Sequence, residues 1–138
     1  MDTDTDTHSR PLVIVDAANT VGSVPDGWWR DRRGATERLR DALAPLAEQG
    51  LPDAPGVPDW ATTPPLDLVL VVEGAARGVD PVPGVRIAAA PGSGDDLITD
   101  LAASAAGRPC LVITADRELR RRVAAHGAAA AGPKVVRP

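Results

Sequence analysis

Short runs of aliphatic and β-branched residues alternate along this chain with stretches of helical period. Pro11-Leu-Val-Ile-Val-Asp16, Leu66-Asp-Leu-Val-Leu-Val-Val-Glu73 and Pro109-Cys-Leu-Val-Ile-Thr114 read as strands, and Gly84-Val-Arg-Ile-Ala-Ala-Ala90 as a weaker one. Their nearly continuous apolar character suits strands covered on both faces in a parallel sheet. A last strand is predicted over 134–136. Between these runs, Ala35, Leu39, Ala42, Leu43 and Leu46 share one helical face and predict a helix over 35–49. Pro45 must kink or split it near Ala44, because proline removes a backbone donor, and Gly50 ends it. Leu97, Ile98, Leu101 and Ala105 predict a second helix over 95–106, and a third follows from Arg117 to His126.

The remaining segments lack a period. Residues 1–10 repeat Asp-Thr with no apolar residue after Met1 and read as a disordered acidic tail. Residues 17–33 form a loop that carries Trp28-Trp29. Residues 51–65 hold five prolines and form a second, long loop. Strands alternating with helices predict an α/β fold, a three-layer sandwich with a central parallel sheet and helices on both faces. One such domain fills 11–138.

Composition narrows the chemistry. There is no Phe or Tyr, so Leu, Val, Ile and Ala must fill the core. Cys110 is the only cysteine, which excludes a disulfide framework and a thiolate zinc site, and its apolar run marks it as a buried thiol. No apolar stretch approaches the ~18 residues needed to span a bilayer, and the acidic N-terminus is the reverse of a secretory signal. A cytoplasmic protein with no membrane partner is expected. The net charge of −4 does not advertise nucleic-acid binding. The arginines, however, cluster at Arg30, Arg32, Arg33, Arg38 and Arg40, and again at Arg117, Arg120, Arg121 and Arg122. Each cluster is either a solvated helix face or a basic rim for phosphates.

The acids fall at one end of the predicted strands. Asp16 follows the first, Glu73 ends the second, Asp95 and Asp96 open the helix after the third, and Asp116 follows the fourth. In a parallel sheet all of them emerge at one edge, where they repel one another unless a cation sits among them. Oxygen ligands favour Mg²⁺ or Mn²⁺. The alternative for Asp95, Asp96 and Asp116 is helix capping, and for Glu73 an ordinary strand-end acid. His8 lies in the tail, and His126 ends a helix where the dipole favours it. Gly92-Ser-Gly94 suggests a phosphate loop, but two carboxylates follow it, and neither a dinucleotide fingerprint nor a P-loop lysine is present. A receiver-type site lacks its Asp at Ala90-Pro91, and a dehalogenase-type site lacks Asp-x-Asp at Asp16.

Three motifs carry a family resemblance: Leu12-Val-Ile-Val-Asp16-Ala-Ala-Asn19, Gly94-Asp95-Asp96-Leu-Ile98 and Val112-Ile-Thr114-Ala-Asp116-Arg-Glu118-Leu119. Their order and spacing over residues 11–127 resemble the NYN family of PIN-like ribonucleases, and within it the small bacterial YacP-like proteins. Ala17-Ala18 stands where the family often has Gly-Tyr or Gly-His. The resemblance implies a PIN-like fold and metal-dependent cleavage of RNA. Asp16, Asp95 or Asp96, and Asp116 would hold Mg²⁺ or Mn²⁺, with Asn19 assisting. Thr114 would hold a phosphate oxygen or satisfy a backbone group. Arg117, Arg120, Arg121 and Arg122 would contact the RNA backbone. Trp28 and Trp29 either stack bases or close the core under their loop. Two other functions stay open: a non-catalytic RNA- or partner-binding module on the same fold, and a small-molecule nucleotide phosphohydrolase. A homodimer and an unidentified protein partner are likewise open.

Overall fold

The computed structural model describes residues 10–137, so the tail expected over 1–10 lies outside the described residues except for Arg10. Five strands, β1 (Leu12–Asp16), β2 (Asp67–Val72), β3 (Val85–Ala89), β4 (Cys110–Ile113) and β5 (Ala129–Ala131), form one sheet in the order β3-β2-β1-β4-β5. Every pairing is parallel. The helices are α1 (Ala17–Val21), α2 (Arg32–Leu43), α3 (Leu46–Gln49), α4 (Gly94–Ser104) and α5 (Arg117–Ala124).

Strand alternation divides the core into two layers. Val13, Val15, Leu68, Leu70, Val72, Leu111 and Ile113 face α1, α2 and α3. Leu12, Ile14, Val69, Val71 and Val112 face α4 and α5, packing against Ile98, Ala102, Leu119 and Val123. The expected α/β sandwich with helices on both faces is therefore the observed one. Cys110 belongs to the second layer, where burial pushes its thiol up to about 11.

Pro45 acts as its chemistry requires. The predicted 35–49 helix is two helices, with Ala44 closing α2 and Pro45 preceding α3. The turn after α3 needs Gly50, whose φ is 82° and whose hypothetical Cβ would lie 2.3 Å from the Thr62 carbonyl oxygen. Two expectations are corrected. The segment 17–33 is not all loop: α1 starts directly after Asp16, and α2 starts at Arg32 under an Asp31 cap. The last strand is Ala129–Ala131, while Pro133–Val135 forms a 3₁₀ turn. An alanine run carries no strand signal of its own; its place beside β4 makes it one. Among the described residues no helix is long and apolar enough to cross a membrane.

Candidate active site at the carboxyl edge of the sheet

The chain runs β1, β2, β3 outward in one direction, then returns through α4 to place β4 on the other side of β1. The crevice between β1 and β4 is thus the point where the topology reverses, the usual location of a site in an open parallel sheet. The register pairs Val15 with Ile113, so Asp16 and Thr114, the next residues, leave the sheet side by side.

Asp16 is buried. Its Oδ2 accepts the Thr114 hydroxyl at 3.0 Å, and its Oδ1 accepts the Asn19 backbone N–H at 3.3 Å, capping α1. The network continues. The Asn19 side-chain oxygen accepts the Ala115 N–H at 2.9 Å, and the Thr114 Oγ1 accepts the Asp116 N–H at 3.2 Å. Asp116 in turn caps α5, accepting the Leu119 N–H at 3.0 Å. Asn19 and Thr114 therefore bind together the two segments that carry Asp16 and Asp116.

The Asp95-Asp96 pair separates by environment. Neither residue is the N-cap of α4: Ser93 Oγ accepts the Asp95 N–H at 3.1 Å, and Glu73 Oε2 accepts the Gly94 N–H at 2.8 Å. Asp96 is exposed and paired with Arg122 at 2.9 Å. Asp95 is half-buried and carries no such pair. Desolvation raises its carboxyl above the ordinary range, and the charges of Asp116 and Glu73 raise it further against the opposing pull of Arg122. Asp16 is also raised, first by burial and then by the charges of Asp95 and Glu73, despite the hydrogen bonds from Asn19 and Thr114. Asp16, Glu73, Asp95 and Asp116 thus form one mutually repelling group at the sheet edge.

The arginines of α5 divide in the same way. Arg120 donates its Nε to the Thr114 carbonyl at 2.8 Å, bracing the end of β4. Arg121 pairs with Glu118 on the surface. Arg117, the first residue of α5, is exposed beside Asp116.

These donors suit a hard cation in kind, since all are carboxylate oxygens. Among the described residues, no group of three or more acidic, histidine or cysteine side chains is placed to hold a metal ion.

A cleft of about 460 Å³ opens next to the acids, with Glu73 on its wall. Ala17, Ala18 and Val21 of α1 line one side, Trp28, Arg32 and Thr36 another, and Gly92 and Ser93 the rim. The Arg32 guanidinium lies 5.3 Å from the Trp28 ring centre, and Trp29, half-exposed, meets Trp28 edge-on at 5.9 Å. The sequence singled out Arg32 and the tryptophans separately, but nothing in it placed them together or beside Glu73.

At the opposite end of the sheet lies a cluster that the sequence did not flag. Asp67, buried at the start of β2, accepts bonds from Arg86 Nε and Nη2 at 2.9 and 2.7 Å and from Arg108 Nη2 at 2.8 Å. Burial alone would raise this carboxyl; the two guanidinium groups overcome it and hold the carboxyl below its ordinary range.

Sheet order, parallel pairing and two-sided helix cover define a three-layer α/β fold that is similar to a PIN-like structure. Among solved structures, the crystal structure of Rae1 (YacP) from Bacillus subtilis, in a mutant form, matches with a TM-score of 0.62 at 16% identity, covering 90% of this chain and 70% of that one. No family model and no curated protein matches the sequence. The likeness is one of fold, and it falls on the group that the three sequence motifs resemble.

Proposed function

We propose that this chain is a ribonuclease that hydrolyses RNA phosphodiester bonds with the help of Mg²⁺ or Mn²⁺. The observation that carries this reading is the gathering of Asp16, Glu73, Asp95 and Asp116 at the carboxyl edge of the sheet, beside the switch point, where burial first and neighbouring acids second raise the carboxyls of Asp16 and Asp95. Carboxylates gathered at a switch point and destabilised by one another form a site that a divalent cation relieves. The three motifs, which resemble those of PIN-like ribonucleases, point to RNA as the substrate, and the fold is similar to that of Rae1 (YacP).

In this reading Asp16, Asp95 and Asp116 would share the ion, one or two of them binding it directly and the rest through its waters. Glu73 adds negative charge from the neighbouring strand end. Asp96, engaged by Arg122, stands outside the ligand set. Held by these carboxylates, a divalent ion would supply an activated water and offset charge on the phosphate. The protein's own part is positioning. Thr114 orients Asp16 through its hydroxyl, Asn19 ties the β1 end to the β4 end, and Arg120 fixes the Thr114 carbonyl. Arg117 faces solvent beside Asp116 and is placed to meet a backbone phosphate.

The test is cleavage of a labelled mixed-sequence RNA in Mn²⁺, in Mg²⁺ and in chelator, by wild type and Asp116→Asn. Asparagine is as good a helix cap as aspartate, so α5 keeps its start while the charge is lost. Cutting that needs metal and disappears in the variant supports the reading. A folded wild type that cuts in no metal turns the choice toward the binding module.

A further inference from the structure

The cleft beside the acids has the size and the chemistry of a small aromatic ligand site. Its volume of about 460 Å³ falls within the usual range for such sites. Ala17, Ala18 and Val21 give it an apolar side, and Trp28 with Arg32 gives it a flat, cationic one. Unstacked bases are held on just such surfaces, against aromatic rings or guanidinium planes.

Arg32 is the informative residue. It sits in the first turn of α2, which holds no acid, so its charge opposes the helix dipole. Arg33 and Arg40 of the same cluster have structural partners, Arg33 donating to the Gly78 carbonyl and Arg40 pairing with Asp41 and donating to the Asp80 carbonyl, while Arg30 and Arg38 neither bond within the described residues nor line the cleft. Among the described residues Arg32 has no carboxylate partner. A guanidinium at the unfavourable end of a helix, held over Trp28 and facing a cleft, suits a ligand that brings both a ring and a phosphate. Glu73 joins the two regions. It lines the cleft and also raises the Asp16 and Asp95 carboxyls, so a group in the cleft is a direct neighbour of the acids. Its carboxylate is an acceptor for a base N–H.

We infer that the cleft between Trp28-Arg32 and Ala17-Ala18 receives one unpaired base of a single-stranded RNA, next to the phosphodiester held at the acids. The inference rests on the ribonuclease reading and adds to it the place where one base is held. A paired base cannot leave its helix to enter the cleft without the cost of unstacking.

The test measures binding without catalysis. A fluorescently labelled single-stranded RNA octamer and the duplex of the same sequence are titrated in chelator at fixed salt, by anisotropy and by quenching of intrinsic tryptophan fluorescence. Two variants fill the cleft from different walls. Gly92→Leu adds its side chain where a Cβ meets nothing within 4 Å, and Ala18→Leu projects from the exposed side of α1. A third, Arg32→Gln, removes the cation. All three are checked for a wild-type melting temperature. The expected result is quenching of wild type by the octamer, weaker binding of the duplex, and a loss of roughly tenfold in octamer affinity for each variant. Equal octamer affinity in wild type and in both leucine variants overturns the inference, and metal-dependent cleavage by the same wild type then leaves the ribonuclease reading standing. A free mononucleotide bound as tightly as the octamer also overturns it, in favour of a small-molecule site. Neither binding nor cleavage of RNA by wild type takes down both.

Discussion

Thr114, the residue that follows β4, donates its hydroxyl at 3.0 Å to the carboxylate of Asp16, the last residue of the adjacent β1. Both side chains are buried, and the same hydroxyl oxygen accepts the Asp116 N–H. Thr114→Val keeps the shape but leaves a buried carboxylate oxygen and a backbone donor without their partner. We expect a loss of about 1–3 kcal/mol in unfolding free energy, measured by urea titration at neutral pH. Thr114→Ser keeps the hydroxyl and should recover most of it. A serine variant as unstable as the valine one would show that the methyl group, not the hydrogen bond, is what matters.

Stability should change with pH in a direction set by Asp16. Its folded-state carboxyl is raised above the ordinary value of 3.8. A raised carboxyl binds its proton more tightly folded than unfolded. Its contribution is therefore complete below the unfolded value and is lost as the pH rises through the folded one. Asp95 has the same sign. In chelator, Asp16→Asn should be more stable than wild type at pH 7, and the difference should vanish below about pH 4. Denaturant unfolding across pH 3–8 checks this. Wild type matching the variant at every pH would mean that burial and the neighbouring acids do not raise the Asp16 carboxyl.

Asp67 has the opposite sign. Its carboxyl is held down, so its contribution is present above the unfolded value and is lost as the pH falls through the folded one. Replacing it with Asn leaves Arg108, mostly buried, facing a neutral group. Breaking a buried pair from one side costs about 3–5 kcal/mol, and the half-exposed Arg86 moves the expectation to the lower end. Asp67→Asn should lower the urea midpoint at pH 7 and approach wild type in acid. A neutral-pH loss under about 1 kcal/mol would place the cluster with ordinary surface pairs.

The fold and the location of the site were legible because both rest on period and order. Apolar runs ending on Asp16, Glu73 and Thr114 announced buried parallel strands, and parallel pairing alone brings their ends to one edge. The Pro45 break was legible for a covalent reason. What could not be read depends on contacts between distant segments. Nothing near Asp95 in sequence distinguishes it from Asp96; Arg122, on α5, does so by pairing with one of them. Arg120 resembled its neighbours in a basic cluster, yet it reaches back to a strand carbonyl. The Asp67 cluster joins residues from β2, β3 and the turn before β4, and no local pattern records that meeting.

That difference between Asp95 and Asp96 gives a direct test of the proposed metal site. If Asp16, Asp95 and Asp116 hold the ion, saturating Mg²⁺ or Mn²⁺ stabilises the folded state, by about 2.7 kcal/mol at a hundred times the dissociation constant. Asp95→Asn should lose most of that increment and should cleave RNA poorly in every metal. Asp96→Asn should keep both, because the residue it alters is exposed and its bond to Arg122 is a surface pair contributing less than about 1 kcal/mol. Without metal the order changes: Asp95→Asn removes a repelling charge and should melt above wild type, while Asp96→Asn should melt at or slightly below it. Thermal melts with and without metal, run beside the cleavage assay, read all of these. Metal stabilisation lost in Asp96→Asn and kept in Asp95→Asn would move the site to the outer face of α4 and reverse the assignment.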